Sequence, residues 1–205
     1  MKYIFCAGAP GSKWSSLIKN IYYSPSVDRT DYNEARTYWH DAPGTLELMH
    51  LGAYFDPGME FDLPVDLSAL SKTELERRFD EPFSGQGVRI IKSHIFAHNI
   101  DFLKHTWPES PIILAHRNDD SCLGWWVKCG HFNITYPKYD KYYKDLRTMA
   151  KIIADQNKDI QLAWDTYPGK IPPNNFALAH ILEIIPAPDE YQQDYNKSDL
   201  GVKVI

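Results

Sequence analysis

Apolar and polar positions along the chain fall into blocks that switch between a continuous apolar run and a helical repeat. Tyr3-Ile4-Phe5-Cys6-Ala7 is unbroken and closes on Gly8, which predicts a buried strand over 2–7. From Trp14 to Tyr22 the apolar residues Trp14, Leu17, Ile18 and Ile21 return every three or four positions, the signature of one helix face. Ser71-Lys72-Thr73-Glu74 matches a capping box and starts a helix running to about Phe79. "GVRIIKSH" (87–94) reads as a second strand, and "FAHNIDFLKHTW" (96–107) as an amphipathic helix stopped by Pro108. "PIILAHR" (111–117) reads as a third strand. "DDSCLGWWVKCGHF" (119–132) reads as a helix, with Asp119 and Asp120 suited to its amino end. Asp140 to about Trp164 forms one long helical pattern with Leu146, Met149, Ile152 and Ile153 on one face. "NNFALAHILEII" (174–185) predicts a last helix with a strand as the alternative at its end, and the polar 186–205 reads as peripheral.

Strands alternating with helices imply an α/β fold, a single domain over 1–205 with a mainly parallel central sheet flanked by helices. Sheets of this kind bind ligands beyond the carboxyl ends of their strands. The three strands end at Gly8, at Lys92-Ser93-His94 and at His116-Arg117, so these groups are expected to meet in one crevice. The turn-rich stretch 24–65, with Ser24-Pro25, Pro43-Gly44, Pro57-Gly58 and Leu63-Pro64, is too long for a plain loop and is expected to wrap over that face.

Composition narrows the function classes. A chain of 205 residues with a net charge of −5 lacks the basic surplus of a general nucleic-acid binder, although a local positive pocket for a small polyanion remains open. Cys6, Cys122 and Cys129 are odd in number and lack metal-ligand spacing, which reads as free thiols in a cytoplasmic protein. The apolar run behind Lys2 is too short for a secretory leader, and no stretch approaches the roughly 20 apolar residues of a membrane span.

The loop between the first strand and its helix, "GAPGSKWSS" (8–16), carries the chemistry. A glycine loop entering a helix offers backbone N–H groups to an anion. Lys13 adds a charge, and Ser12, Ser15 and Ser16 add hydroxyls. The ATP/GTP loop G-x-x-x-x-G-K-[ST] does not fit. Gly8 to Lys13 is one residue short, Ser12 replaces the second glycine, and Trp14 stands where a magnesium-binding hydroxyl belongs.

The stretch instead resembles the first loop of the sulfotransferases that use 3′-phosphoadenosine 5′-phosphosulfate (PAPS). That loop typically reads P-K-S-G-T-T-W, and Gly11-Ser12-Lys13-Trp14 is similar to its end, with the lysine displaced. "IIKSHIFAHNI" resembles the family's K-T-H-L-P segment, placing Lys92 and His94 on its lysine and catalytic histidine. "PIILAHRNDDS" resembles its 3′-phosphate segment through Arg117 and Asn118. Trp125 stands at the later serine, and Ser121 is the substitute.

The resemblance covers under a third of the chain and implies a three-layer P-loop-like fold. It implies transfer of a sulfuryl group from PAPS to a hydroxyl or amine of a small-molecule, saccharide or peptide acceptor, with no metal. His94 would be the base, Lys92 and Lys13 would steady developing charge, and Gly11, Ser12, Lys13, Trp14, Ser15, Ser16, Arg117 and Ser121 would hold the nucleotide. Two alternatives stay open: a nucleotide or small-molecule kinase, and a non-catalytic descendant that binds a nucleotide or a protein. Each residue also has a plainer role. Lys13 can be a solvated helix-start lysine, His94 a strand-end structural histidine, Lys92 an exposed strand-end lysine and Ser121 a cap. Arg117 can pair with Asp119 or Asp120, and Trp14 can belong to the core.

Overall fold

The computed structural model describes residues 1–33, 38–39, 48–129, 145–192 and 199–205. β1 (Tyr3–Gly8) is followed by α1 (Trp14–Tyr22), and a short antiparallel pair follows, β2 (Tyr38–Trp39) with β3 (Leu48–His50). Then come α2 (Lys72–Asp80), β4 (Arg89–Lys92), a 3₁₀ segment His94–Asn99 that runs into α3 (Ile100–Thr106), and β5 (Ile112–His116). α4 (Asp119–Lys128), α5 (Leu146–Thr166), α6 (Asn175–Ile181) and β6 (Gly201–Val204) complete the order. The end of the helix expected over 119–132 and the expected start of the long helix at 140 lie outside the described residues. Among the described residues no helix is long and apolar enough to cross a membrane.

Four strands form one open sheet in the order β4-β1-β5-β6. β1 pairs in parallel with β4, Cys6 opposite Lys92, and with β5, Gly8 opposite Ala115. β6 runs antiparallel to β5, Gly201 opposite His116 and Val204 opposite Ile113. The sheet is therefore mixed, which corrects the mainly parallel sheet expected from the sequence. The correction lies in the segment read as peripheral. Val202 and Val204 alternate in four residues and fill the free edge of β5 from its carboxyl end, with both side chains buried. The new edge is partly covered in turn, because Lys170 and Val204 exchange backbone hydrogen bonds.

The period of two along the strands sorts the core into two clusters. Ile4 and Cys6, with Ile90, Ile113, Ala115, Val202 and Val204, pack against Leu17 and Ile21 of α1, Trp126 of α4 and Leu178 of α6. Tyr3, Phe5 and Ala7, with Ile91, Ile112 and Leu114, pack against Leu75 and Phe79 of α2 and Leu103 of α3. β1 is buried at all six positions because it has neighbours on both edges and side chains on both faces, which is why it reads as a continuous apolar run. α5 serves both clusters, with Met149 and Ile153 in the first and Ile160 and Ala163 in the second.

The predicted helix starts are realised by their caps. The Ser71 hydroxyl accepts from the Glu74 N–H at α2, and the Asn118 side chain accepts from the Asp120 N–H at α4. The expected helix over 96–107 begins as the 3₁₀ turn His94–Asn99 and becomes α-helical at Ile100. This tight turn folds His94 back over the end of β1.

Candidate functional site

The loop from Gly8 to Lys13 crosses the carboxyl end of the sheet and is held from both sides. Gly11 has φ 77°, and a Cβ there would lie 2.0 Å from the Cys122 carbonyl oxygen of α4, so only glycine lets the loop approach that helix. Lys13 also lies in the left-handed region, at φ 63°, and sits at the cap position of α1 with no side-chain cap hydrogen bond. A non-glycine residue there costs about 1–2 kcal/mol. The residues singled out from the sequence divide between the two flanks of this loop.

On the β4 flank His94 is 4% exposed. Its Nδ1 lies 2.5 Å from the Gly8 carbonyl oxygen, which can only accept, so Nδ1 carries the proton. Nε2 is then the acceptor of the Tyr54 hydroxyl at 2.9 Å. Trp14 lies against the imidazole, ring centroids 4.6 Å apart, and Tyr54 meets both rings edge-on. Asp56 sits beneath them. One of its oxygens accepts from the His94 N–H and the Ser93 hydroxyl, each at 2.6 Å, and the other lies 3.7 Å from Nε2. Burial pushes the Asp56 carboxyl above the usual range, opposed by the nearby His94 ring in its protonated form and by these hydrogen bonds.

Lys92 is not the exposed strand-end lysine of the plainer expectation. Its position, opposite Cys6 and two residues from Ile90, directs it to the α1 face. There its ammonium is buried, donates to the Leu51 carbonyl and lies 5.5 Å from the Tyr22 ring centroid. Burial lowers its pKa, opposed by the charge of Asp31. Asp31 in turn accepts from the Tyr22 hydroxyl at 2.9 Å and the Ala53 N–H at 2.8 Å. Lys92 shares with Ser15, Trp14 and Tyr54 a small cavity of about 10 Å³, room for roughly one water.

On the β5 flank Arg117 leaves the strand end and reaches the loop. Its Nη1 donates to the Gly11 carbonyl at 3.2 Å and the Ser121 carbonyl at 3.0 Å, and its Nε donates to the Asp199 carboxylate at 2.5 Å. The expected pairing with Asp119 or Asp120 is replaced by Asp199, because Asn157 holds Asp119 at 2.6 Å. The Ser121 hydroxyl bonds the same Asp199 carboxylate. The Lys13 ammonium stands 4.1 Å from the centre of the Trp125 ring of α4.

The structure thus brings Gly11, Lys13, Arg117 and Ser121 together on one side, and Trp14, Ser15, Lys92 and His94 on the other. Ser16 sits in the first turn of α1, its N–H on the Lys13 carbonyl. Ser12 turns inward. Its hydroxyl is fully buried, has no hydrogen-bond partner among the described residues and faces Gly8, so it is not presented to an anion from outside. Trp14 is core rather than an open platform.

Tyr54, Asp56 and Asp199 were not singled out in the sequence. Asp56-Pro57-Gly58 reads only as a turn, and residues 51–56 reach the site because Phe55 N–H bonds the Lys92 carbonyl, laying that segment along the end of β4. A larger open pocket of about 710 Å³, lined by Tyr22, Tyr23, Arg29, Tyr32, Leu51 and Gly85, lies beside the chain entering β4 and shares Leu51 with the small cavity at Lys92. No family model, no curated protein and no solved structure matches this chain.

Proposed function

We propose that the chain is a PAPS-dependent sulfotransferase of the P-loop-like, three-layer type, moving a sulfuryl group to the hydroxyl or amine of a small-molecule, saccharide or peptide acceptor. One observation carries the reading: the strands on either side of β1 each send a polar side chain to a carbonyl of the same loop, His94 to Gly8 and Arg117 to Gly11. The donor set on the Arg117 flank, a guanidinium and a hydroxyl around a carboxylate with the Lys13 ammonium close by, suits an oxyanion. Lys13, Arg117 and Ser121 would hold the anionic groups of the donor nucleotide, which supplies an activated sulfuryl group.

The Tyr54–His94 pair supports the proton transfer. The acceptor hydroxyl gives its proton to the Tyr54 oxygen as the Tyr54 proton passes to Nε2 of His94. The acceptor oxygen bonds to sulfur as the bond from sulfur to the donor's phosphate oxygen breaks. The imidazolium so formed keeps Nδ1–H on Gly8 and faces the Asp56 oxygen 3.7 Å away. Lys92, in the same small cavity as Tyr54, favours transient negative charge on the phenol oxygen.

The burial of His94, with both ring nitrogens engaged, favours a second reading, a non-catalytic descendant that binds a nucleotide or a protein partner. The test is labelled PAPS with a panel of alcohols, phenols and sugars, beside calorimetry with adenosine 3′,5′-bisphosphate. We expect His94→Ala to keep bisphosphate affinity within a few-fold and to lower transfer by about 10²-fold, the scale of losing a positioned base. Equal transfer by wild type and His94→Ala removes His94 from the reaction. Binding without transfer across the panel selects the second reading, and no binding overturns both.

A further inference from the structure

Three groups that the sequence marks as anion ligands, Lys13, Arg117 and Ser121, gather in the structure around a side chain of the protein itself. We propose that Asp199 is a resident carboxylate in the anion position of the β5 flank, and that the second phosphate of a nucleotide bisphosphate binds by displacing it. The proposal rests on the reading that this flank binds the nucleotide.

The asymmetry of the pair argues that Asp199 covers the position and does not build it. The Arg117 side chain is 11% exposed, whereas that of Asp199 is 49% exposed. Arg117 is also held without Asp199, through the carbonyls of Gly11 and of Ser121 in α4. A donor fixed by two other acceptors keeps its orientation when its exposed partner leaves, so the guanidinium and the Ser121 hydroxyl stay aimed at the vacated place. Asp199 needs only a side-chain rotation to leave, because the strand behind it is anchored by the buried Leu200, Val202 and Val204.

Asp199 is an anion under the conditions where a phosphate would compete. Its partial burial pulls the carboxyl up. The hydrogen bonds from Arg117 and Ser121, with the charges of Arg117 and Lys13, outweigh this and hold it below the usual carboxylate range. A phosphate and this carboxylate cannot share one guanidinium edge without like-charge repulsion, so the two compete. An exposed ion pair is a weak competitor, which makes displacement feasible.

Asp199→Asn is the test. Asparagine keeps the shape and tolerates the left-handed backbone that residue 199 adopts at φ 54°, so the turn is retained. Calorimetry compares adenosine 3′,5′-bisphosphate with adenosine 5′-monophosphate on wild type, Asp199→Asn and Arg117→Ala. The expected result is that Asp199→Asn binds the bisphosphate about two- to fivefold more tightly, the scale of one exposed ion pair. Its affinity for the monophosphate should stay unchanged, and Arg117→Ala should lose the preference for the bisphosphate. A wild type that binds the bisphosphate, with Asp199→Asn binding it equally or less tightly, overturns the displacement while leaving the function reading intact. Equal tightening for both nucleotides also overturns it, since that is a general charge effect and not a second-phosphate position. No binding of either nucleotide by wild type or Asp199→Asn overturns the function reading and the displacement with it.

Discussion

Lys13 and Gly11 show how much of this loop is decided by single residues. Both take a left-handed backbone, but for different reasons. Gly11 has no room for a side chain against the Cys122 carbonyl, so Gly11→Ala combines backbone strain with a collision and should destabilise by more than about 1 kcal/mol. Lys13 carries its strain with a side chain that reaches the Trp125 ring and adds positive potential at Asp199. Glycine at position 13 removes the strain along with the charge, whereas alanine removes only the charge. Lys13→Gly should therefore be about 1 kcal/mol more stable than Lys13→Ala in urea unfolding. Both variants should bind adenosine 3′,5′-bisphosphate more weakly than wild type. If alanine proves as stable as glycine, the left-handed turn at Lys13 is not strained.

At the scale of elements, the ends of β5 and β6 meet where His116 stands opposite Gly201. Burial lowers the His116 pKa below its ordinary value of 6.5, only partly opposed by Asp119. Between the lowered folded value and 6.5 the unfolded chain binds more protons than the native one, so stability rises with pH across that window. The contribution is complete above 6.5 and is lost as pH falls through the folded value. Chemical denaturation midpoints should drop on acidification below about pH 6.5, and His116→Asn should flatten that part of the profile. An unchanged profile in the variant would move the acid sensitivity elsewhere.

This seam is also where sequence reading stops. β1, α1 and α2 are legible because a central strand is apolar throughout, an amphipathic helix repeats every three to four residues, and Ser71 with Glu74 marks a start. β6 carries two inward valines in four residues, too short a pattern to stand out from the polar chain before it. The site divides in the same way. Strand ends are readable, so His94 and Arg117 reach the loop as expected. Their partners Tyr54 and Asp199 come from segments with no periodicity, placed only by tertiary packing.

For the whole molecule, the sheet separates two cores, and the two flanks of the loop draw on them unequally. Phe79 belongs to the second core, where its ring packs edge-on against Tyr3, Phe5, Phe55 and Phe96. Phe55 adjoins Tyr54 and Asp56, and Phe96 follows His94 in the 3₁₀ turn, so this aromatic cluster backs the β4 flank. The Arg117 flank rests on Cys122 and Trp126 of α4 in the first core. Phe79→Ala should lower global stability by about 3–5 kcal/mol, the cost of emptying a buried phenyl site. It should also loosen the hydrogen bonds of His94, read as faster imidazole proton exchange by NMR. Affinity for adenosine 3′,5′-bisphosphate should stay within about twofold, because distant sites that share no partners act nearly additively. A parallel loss of nucleotide affinity would mean that the loop transmits strain from one flank to the other, through the six residues that run from Gly8, whose carbonyl meets His94, to Lys13 beside α4.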